Sequence, residues 1–509
     1  MPPVPGATVP GLYTQPPVQT MLIAVRARRV IPLAGEGPAR DPRDLFSPPR
    51  VLDDHVVVIR GVFLDGAGQA ALTDGACTTP PDANVPDGAN APDGVGAPNG
   101  ADGAARVLSG LRGGVIEAVE PMDAFRRRAG VPLSDLGEVT LTPGVVNCHT
   151  HLELSHLAGR TVLGGGFVPW VKSLLSLVAA GAETPPDVRA AALTEAARQL
   201  AACHTAHVGD ITAVAPAAVH RAMQAASIGC SHFAEVFGYR FTTPDGEPAA
   251  PADTAALWPR AMAELASDLA ADDIVPSGPT GASPAPGAPF PLHPDAALAG
   301  HSLYSTHPVA LAAARRWCER NHRVFSMHLA EHPDEVEFLT TGRGALADLL
   351  AVRVLPPGFA APGMRPVPYA ADLGLLDEGT LAVHCVQLDA SDIRLLAESG
   401  AHVCLCPRSN AAISVGTAPA RALAAAGTPL CLGTDSLASN HDLDLWNEAR
   451  ALRDLPAGHD LPPAALLRLL TVGGAAALGR GDIGAIVPGR RARLALLPQD
   501  FSQALGTTP

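Results

Sequence analysis

Two histidines flank a single threonine in His149-Thr150-His151, and they are the first side chains in this 509-residue sequence whose type and spacing suggest chemistry. Alternate residues of a β-strand share a face, with Cα atoms about 6.6 Å apart, so the two imidazoles can converge on one ion. With 18 histidines in the chain, one such pair stands little above chance. Further residues strengthen the case. The apolar run Val324-Phe325-Ser326-Met327 delivers His328, with the acid Glu331 three residues on; Leu381-Ala382-Val383 delivers His384; and Pro429 to Thr434 delivers Asp435. Imidazole nitrogens and a carboxylate are the donors of a catalytic divalent ion that keeps a position for water. An acid beside such ligands, and not itself one, can move protons.

Side chains so far apart in the chain meet only if the elements carrying them stop at one place. From Leu141 onward, short apolar runs alternate with Ala- and Leu-rich segments of helical period such as Pro186 to Cys203, the pattern of repeated βα units and a parallel sheet. Strands are expected to end near His149, Asp210, Glu235, His301, His328, His384, Cys406 and Asp435. Eight strands close a (β/α)8 TIM-type barrel, whose active sites gather at the carboxyl ends of the strands. The polar residues then fall on strands one, five, six and eight.

The expected class is therefore α/β, with the barrel over 142–475 and a small β-domain over 21–141 built from runs at Met21 to Val30, His55 to Phe63 and Gly113 to Val119. The tail, 476–509, turns at Pro488-Gly489 and returns to that domain, making it a discontinuous β-sandwich. Residues 1–20 read as a disordered tail. Residues 65–105 and 277–291 read as low-complexity insertions, too poor in large apolar side chains to offset the entropy of ordering.

Bulk properties narrow the function classes. A formal charge of −14, from 50 acidic against 36 basic residues, repels phosphate backbones and anionic membranes, so neither nucleic acid nor membrane is an expected partner. Nine cysteines without a framework-like spacing, in a chain this long, point to a reducing compartment. No cationic segment leads into an apolar run at the N-terminus, and no apolar run approaches the roughly 20 residues a bilayer requires. A cytoplasmic enzyme taking a small-molecule substrate is expected, with a homodimer as the assembly if it self-associates.

From about Thr142 to Gly489 the sequence resembles the amidohydrolase superfamily in its cytosine deaminase-like branch. The resemblance is carried by Pro143-Gly144, His149-Thr150-His151-Leu152-Glu153-Leu154-Ser155, His328-Leu329-Ala330-Glu331, Cys406-Pro407-Arg408-Ser409-Asn410 and Gly433-Thr434-Asp435-Ser436-Leu437-Ala438-Ser439. Within the branch, the His-Thr-His-Leu-Glu-Leu-Ser form looks most like aminodeoxyfutalosine deaminases of menaquinone biosynthesis. The resemblance implies that His149, His151, His328 and Asp435 hold one Zn²⁺ or Fe²⁺, that His384 orients the attacking water, and that His301 faces the substrate. It implies hydrolytic release of ammonia from an amino-purine nucleoside-like molecule, with Glu331, His384 and Asp435 as the catalytic set. The alternatives are deamination or chloride displacement on another amino-heterocycle, such as S-adenosylhomocysteine, adenosine, guanine, cytosine or a triazine, or a non-catalytic barrel. The full set of proposed ligands argues against the last.

Other residues keep two readings. Glu153 and Ser155 fit substrate contact and loop structure equally. Arg408 suits a substrate carboxylate, such as the benzoate of a futalosine-type molecule, and suits a structural ion pair at least as well. Trp170 could stack on a purine, although packing at a helix start is the better fit. Cys404 and Cys406, alternate on an apolar strand, are expected to be buried core thiols. Arg493 stands where relatives usually carry Asp, so the small β-domain is expected to differ there.

Overall fold

Strands that are apolar on both faces must be covered on both faces, and this demand organises the chain into a sheet and a barrel. The computed structural model describes residues 21–33, 45–64, 104–105, 107–108, 111–128, 130–181, 184–239, 241–242, 248–249 and 295–507. Nearly all of the two expected insertions and the whole of 1–20 lie outside these.

Strands β1 (Met21–Val30), β2 (Leu52–Leu64), β3 (Leu111–Pro121), β4 (Leu133–Asp135) and β5 (Thr140–Pro143) join the last strand of the chain in one six-stranded sheet. β1 pairs antiparallel with β2 and parallel with β4 and β5. Its Ile23, Val25 and Ala27 pack on one side with Val57 and Ile59, while Ala24 packs on the other with Val56, Val58 and Phe125. Hydrogen bonding links all six strands of this small domain, which carries apolar side chains on both of its faces. The chain's two ends do share it, as the C-terminal turn sequence suggested.

The barrel consists of β6 (Val145–Thr150), β7 (Thr205–Thr212), β8 (Gly229–Val236), then, after a two-strand ribbon of β9 (Phe241–Thr242) and β10 (Pro248–Ala249), β11 (Ala296–Gly300), β12 (Phe325–Leu329), β13 (Thr380–His384), β14 (His402–Leu405) and β15 (Leu430–Leu432). These eight pair in parallel in chain order. The ring closes between β15 and β6: Asp435 N donates to His149 O at 2.9 Å, and the Asn147 side chain both donates to Thr434 Oγ1 at 2.8 Å and accepts from Thr434 N at 3.1 Å. That closure requires glycine, because a Cβ on Gly433 would stand 2.8 Å from His149 Cβ. Every barrel strand ends within three residues of its expected stop.

The final strand, β16 (Leu494–Leu496), pairs antiparallel with β5. A single residue, Gly144, separates β5 from β6, and its N–H donates to Arg493 O at 2.8 Å. The Arg493 guanidinium reaches Ser227 O at 2.5 Å, so this residue ties the sheet to the amino-terminal side of β8. Among the described residues no helix is long and apolar enough to cross a membrane.

Candidate metal centre and substrate cleft

The barrel brings His149 at the end of β6, His151 just past it and His328 on β12 together, with one ring nitrogen of each within 4.8 Å of the others. Asp435 Oδ1 lies 3.7 Å from Nε2 of both His149 and His151. That distance is too long for a hydrogen bond. It is close to the ~3.4 Å expected between two ligands that each stand about 2.1 Å from a shared ion. Among the described residues neither buried ring nitrogen of His149 has a hydrogen-bond partner, and a bare lone pair on the Nε2 that faces Asp435 is costly unless a cation stands there. The donor set therefore fits one divalent metal ion.

The surroundings aim these donors. His328 Nδ1 donates to His301 O at 2.8 Å, which leaves Nε2 as its one lone pair. Asp435 Oδ2 accepts the hydroxyls of Ser409 and Ser439 at 2.7 and 2.8 Å, and Oδ1 accepts Ser436 N at 2.8 Å. Burial pushes the histidines down, His151 to about 4, so they are neutral and able to ligate. Burial opposes ionisation of Asp435 as well, but His149 and His151 outweigh it and hold that carboxyl well below the usual range.

Backbone strain marks the same ring of residues. Ala330, His384, Cys385 and Asp435 adopt φ of 52°, 74°, 49° and 59°, a left-handed region that non-glycine residues avoid. Each lies where a strand stops and the chain turns. Glu335 helps hold one turn by accepting the N–H groups of Ala330 and Glu331 at 3.2 and 2.8 Å. Glu331 Oε1 thereby comes to 3.7 Å from His384 Nε2, while His384 Nδ1 faces Asn410 Oδ1 at 2.9 Å. Burial raises the Glu331 carboxyl to about 8.

These groups floor a cleft of about 430 Å³, within the range of small-molecule sites. Its walls are apolar: Phe167, Trp170 and Leu174 from the helix Phe167–Gly181, and Leu346, Leu349 and Leu350 from the helix Ala345–Ala351. Trp170 is fixed by its indole N–H, which donates to Ala438 O at 3.0 Å.

The residues that sequence reasoning offered as substrate contacts are distributed unequally. His301 lines the cleft, its Nδ1 2.5 Å from Ser305 Oγ. Glu153 also lines it, yet its carboxylate is occupied by the N–H groups of Ala213, Val214 and Ala215 at 3.2, 2.9 and 3.1 Å, so it braces the start of the helix Pro216–Ala225. Ser155 is buried outside the lining. Arg408 is outside it too: its guanidinium forms a two-pronged pair with Asp442 at 2.6 and 2.8 Å, so its fork is already spent on a protein carboxylate. Among the described residues, the arginine that does line the cleft is Arg353. Cys404 and Cys406 are fully buried in the core.

Sequence reasoning gave no role to Ser409, Ser439, Asn410, Glu335 or Glu235. The first three lie in segments that carried the family resemblance, and Glu235 was marked only as a strand end. Glu235 lines the cleft, and burial raises its carboxyl to about 8.

Comparison with known proteins agrees with this architecture. A model of the amidohydrolase family matches residues 140–505. The 5-methylthioadenosine/S-adenosylhomocysteine deaminase of Nitratidesulfovibrio vulgaris strain Hildenborough is 31% identical over 384 residues, 74% of this chain and 75% of that protein. The fold is similar to that of an adenosine deaminase from Xanthomonas campestris with bound zinc, at TM-score 0.63 and 24% identity, covering 96% of this chain and 86% of that one. It is equally similar to Helicobacter pylori aminofutalosine deaminase in complex with methylthio-coformycin, at TM-score 0.63 and 16% identity, covering 96% and 97%. The eight-stranded barrel, the histidine cluster at its carboxyl end and the matched family model together show that this chain belongs to the amidohydrolase family.

Proposed function

We propose that the protein is a metal-dependent hydrolytic deaminase of an amino-purine nucleoside-like substrate. The observation that carries this reading is the placement of Glu331 and His384, 3.7 Å apart, beside the histidine cluster on the floor of a cleft large enough for such a molecule. His149, His151, His328 and Asp435 would hold one Zn²⁺ or Fe²⁺, and a divalent ion there brings the pKa of its water down to about 7.

The chain's own groups do the rest. With its proton on the Nδ1 that faces Asn410 Oδ1, His384 offers Nε2 as an acceptor and so orients the attacking water. Glu331 takes one proton from that water as its oxygen bonds to the amine-bearing carbon and gives it to the adjacent ring nitrogen, then takes the second proton from the new hydroxyl and passes it to the amine, which leaves as ammonia when the C–N bond breaks. A carboxyl near 8 can both accept and release protons close to neutral pH, which this double duty needs. The apolar walls exclude bulk water and leave room for an aromatic base.

Aminodeoxyfutalosine, and with it menaquinone biosynthesis, is the assignment that the His-Thr-His-Leu-Glu-Leu-Ser segment favours. S-adenosylhomocysteine and 5′-methylthioadenosine are the assignment favoured by the relative's name. The test is ammonia release from these three, with adenosine and adenine as controls, alongside metal analysis of the purified protein. Glu331→Gln should keep its metal and lose turnover by about 10² or more. Retained turnover in that variant would remove Glu331 from the mechanism, and no ammonia from any aminopurine would end the reading.

A further inference from the structure

Glu235, next to last in β8, lines the cleft, and its Oε1 is fully buried with no hydrogen-bond partner among the described residues. One oxygen of this carboxyl and one ring nitrogen each of His301 and His328 lie within 4.8 Å of one another, a spacing that would itself suit a metal. A second ion does not follow. His328 gives its Nδ1 proton to His301 O, so it has a single lone pair, and the cluster with His149 and His151 already claims that. Among the described residues Glu235 Oε1 is left as an acceptor with no donor, a costly state for a buried carboxyl that a donor on the substrate would relieve.

Resting on the deaminase reading above, we infer that Glu235 is a specificity-determining residue that accepts a hydrogen bond from a sugar hydroxyl of the substrate. An aminopurine substituted on its five-membered ring shows the cleft only acceptor ring nitrogens, and Glu331 serves the one beside the amine. Its donors are the amine, which leaves, and the sugar hydroxyls. A carboxyl accepts in both of its protonation states, so Glu235 pairs with a hydroxyl in either. Phe237, two residues further on, also lines the cleft and offers no donor to compete for that bond. The site thus selects a nucleoside over a free base or a triazine, since a site built around a substrate hydroxyl is left with an unpaired buried group when the hydroxyl is missing.

The experiment is a cycle between residue and substrate, using metal-loaded full-length protein. Glu235→Leu and Glu235→Gln are assayed for kcat/KM on 5′-methylthioadenosine, on its 2′-deoxy and 3′-deoxy analogues, and on adenine. Leu in place of a partnerless carboxyl among apolar walls is not expected to unfold the chain, and Gln, which keeps an acceptor oxygen, should recover part of the activity. In the unaltered protein, losing the paired hydroxyl should lower kcat/KM roughly ten- to a hundredfold, and Glu235→Leu should do the same to the intact nucleoside. Combining the two should cost little more than either alone. Losses that multiply, or an equal loss on adenine, would overturn the assignment while leaving the deaminase reading intact. Absence of ammonia from every nucleoside with the unaltered protein would overturn both.

Discussion

Glu448 touches none of the proposed ligands, yet it fastens the segments that orient one of them. From the helix Leu445–Arg453 its carboxylate accepts Arg408 N at 2.9 Å and Asn440 Nδ2 at 2.8 Å, so it binds together the two stretches that supply Ser409 and Ser439 to Asp435. Burial pushes its carboxyl up to about 8. The unfolded chain releases this proton near pH 4.3 and the native chain keeps it, so the stability attached to the protonated form is present at low pH and lost as pH rises towards 8. Relative to Glu448→Gln, the unaltered protein should therefore lose on the order of 4 kcal/mol between pH 5 and 8.5. Urea denaturation of both proteins in the presence of chelator reads this difference, and a gap constant with pH would refute it. At this scale the convergence of His149, His151, His328 and Asp435 was legible because His and Asp at strand ends are few. Ser409, Ser439 and Glu335 were not, since a loop hydroxyl or carboxyl has the same spelling whether it meets a ligand or water.

The elements were legible where burial dictates them. β7, β12 and β13 are buried along their whole length, and the apolar residues of the latter two, Phe325, Met327 and Leu329 and the run Leu381-Ala382-Val383, stand out in sequence between polar flanks. The three-residue strands β4 and β16 were not delimited, because strands that short are defined by the neighbour they pair with. The same dependence governs the seam between β15 and β6, where the backbones approach so closely that a Cβ on Gly433 would meet His149 N at 3.0 Å and Cys404 Sγ at 2.9 Å as well as His149 Cβ. Gly433→Ala should force β6 and β15 apart, cost roughly 1–3 kcal/mol of stability, and lower the metal content. A melting temperature and a metal content equal to those of the unaltered protein would show that the seam tolerates a methyl group.

Across the whole molecule, the six-stranded sheet is more than an appendage, because β5 runs through Gly144 directly into the strand bearing His149. β16 covers the outer edge of β5, and just beyond it Phe501 is completely buried with its ring 5.3 Å from Trp446. Ending the chain at Gly489 should strip that edge, expose Leu141 and Trp446, and abolish cooperative melting together with metal retention. A truncated protein that still melts cooperatively and keeps its metal would show that the barrel stands without this support. The discontinuous domain was foreseen from the strand-like tail, but the order in which its strands pair was not, since the apolar residues of β1 say that two faces are covered and not which strands lie beside it.

The walls of the cleft belong to neither sheet nor barrel strand. They come from the helices Phe167–Gly181 and Ala345–Ala351, inserted after the first and fifth barrel strands, whereas the proposed ligands sit on strand ends locked into the ring. Selection acting on a lineage of such proteins can therefore remodel two helical faces and change which amine is admitted, without displacing an atom of the reaction centre.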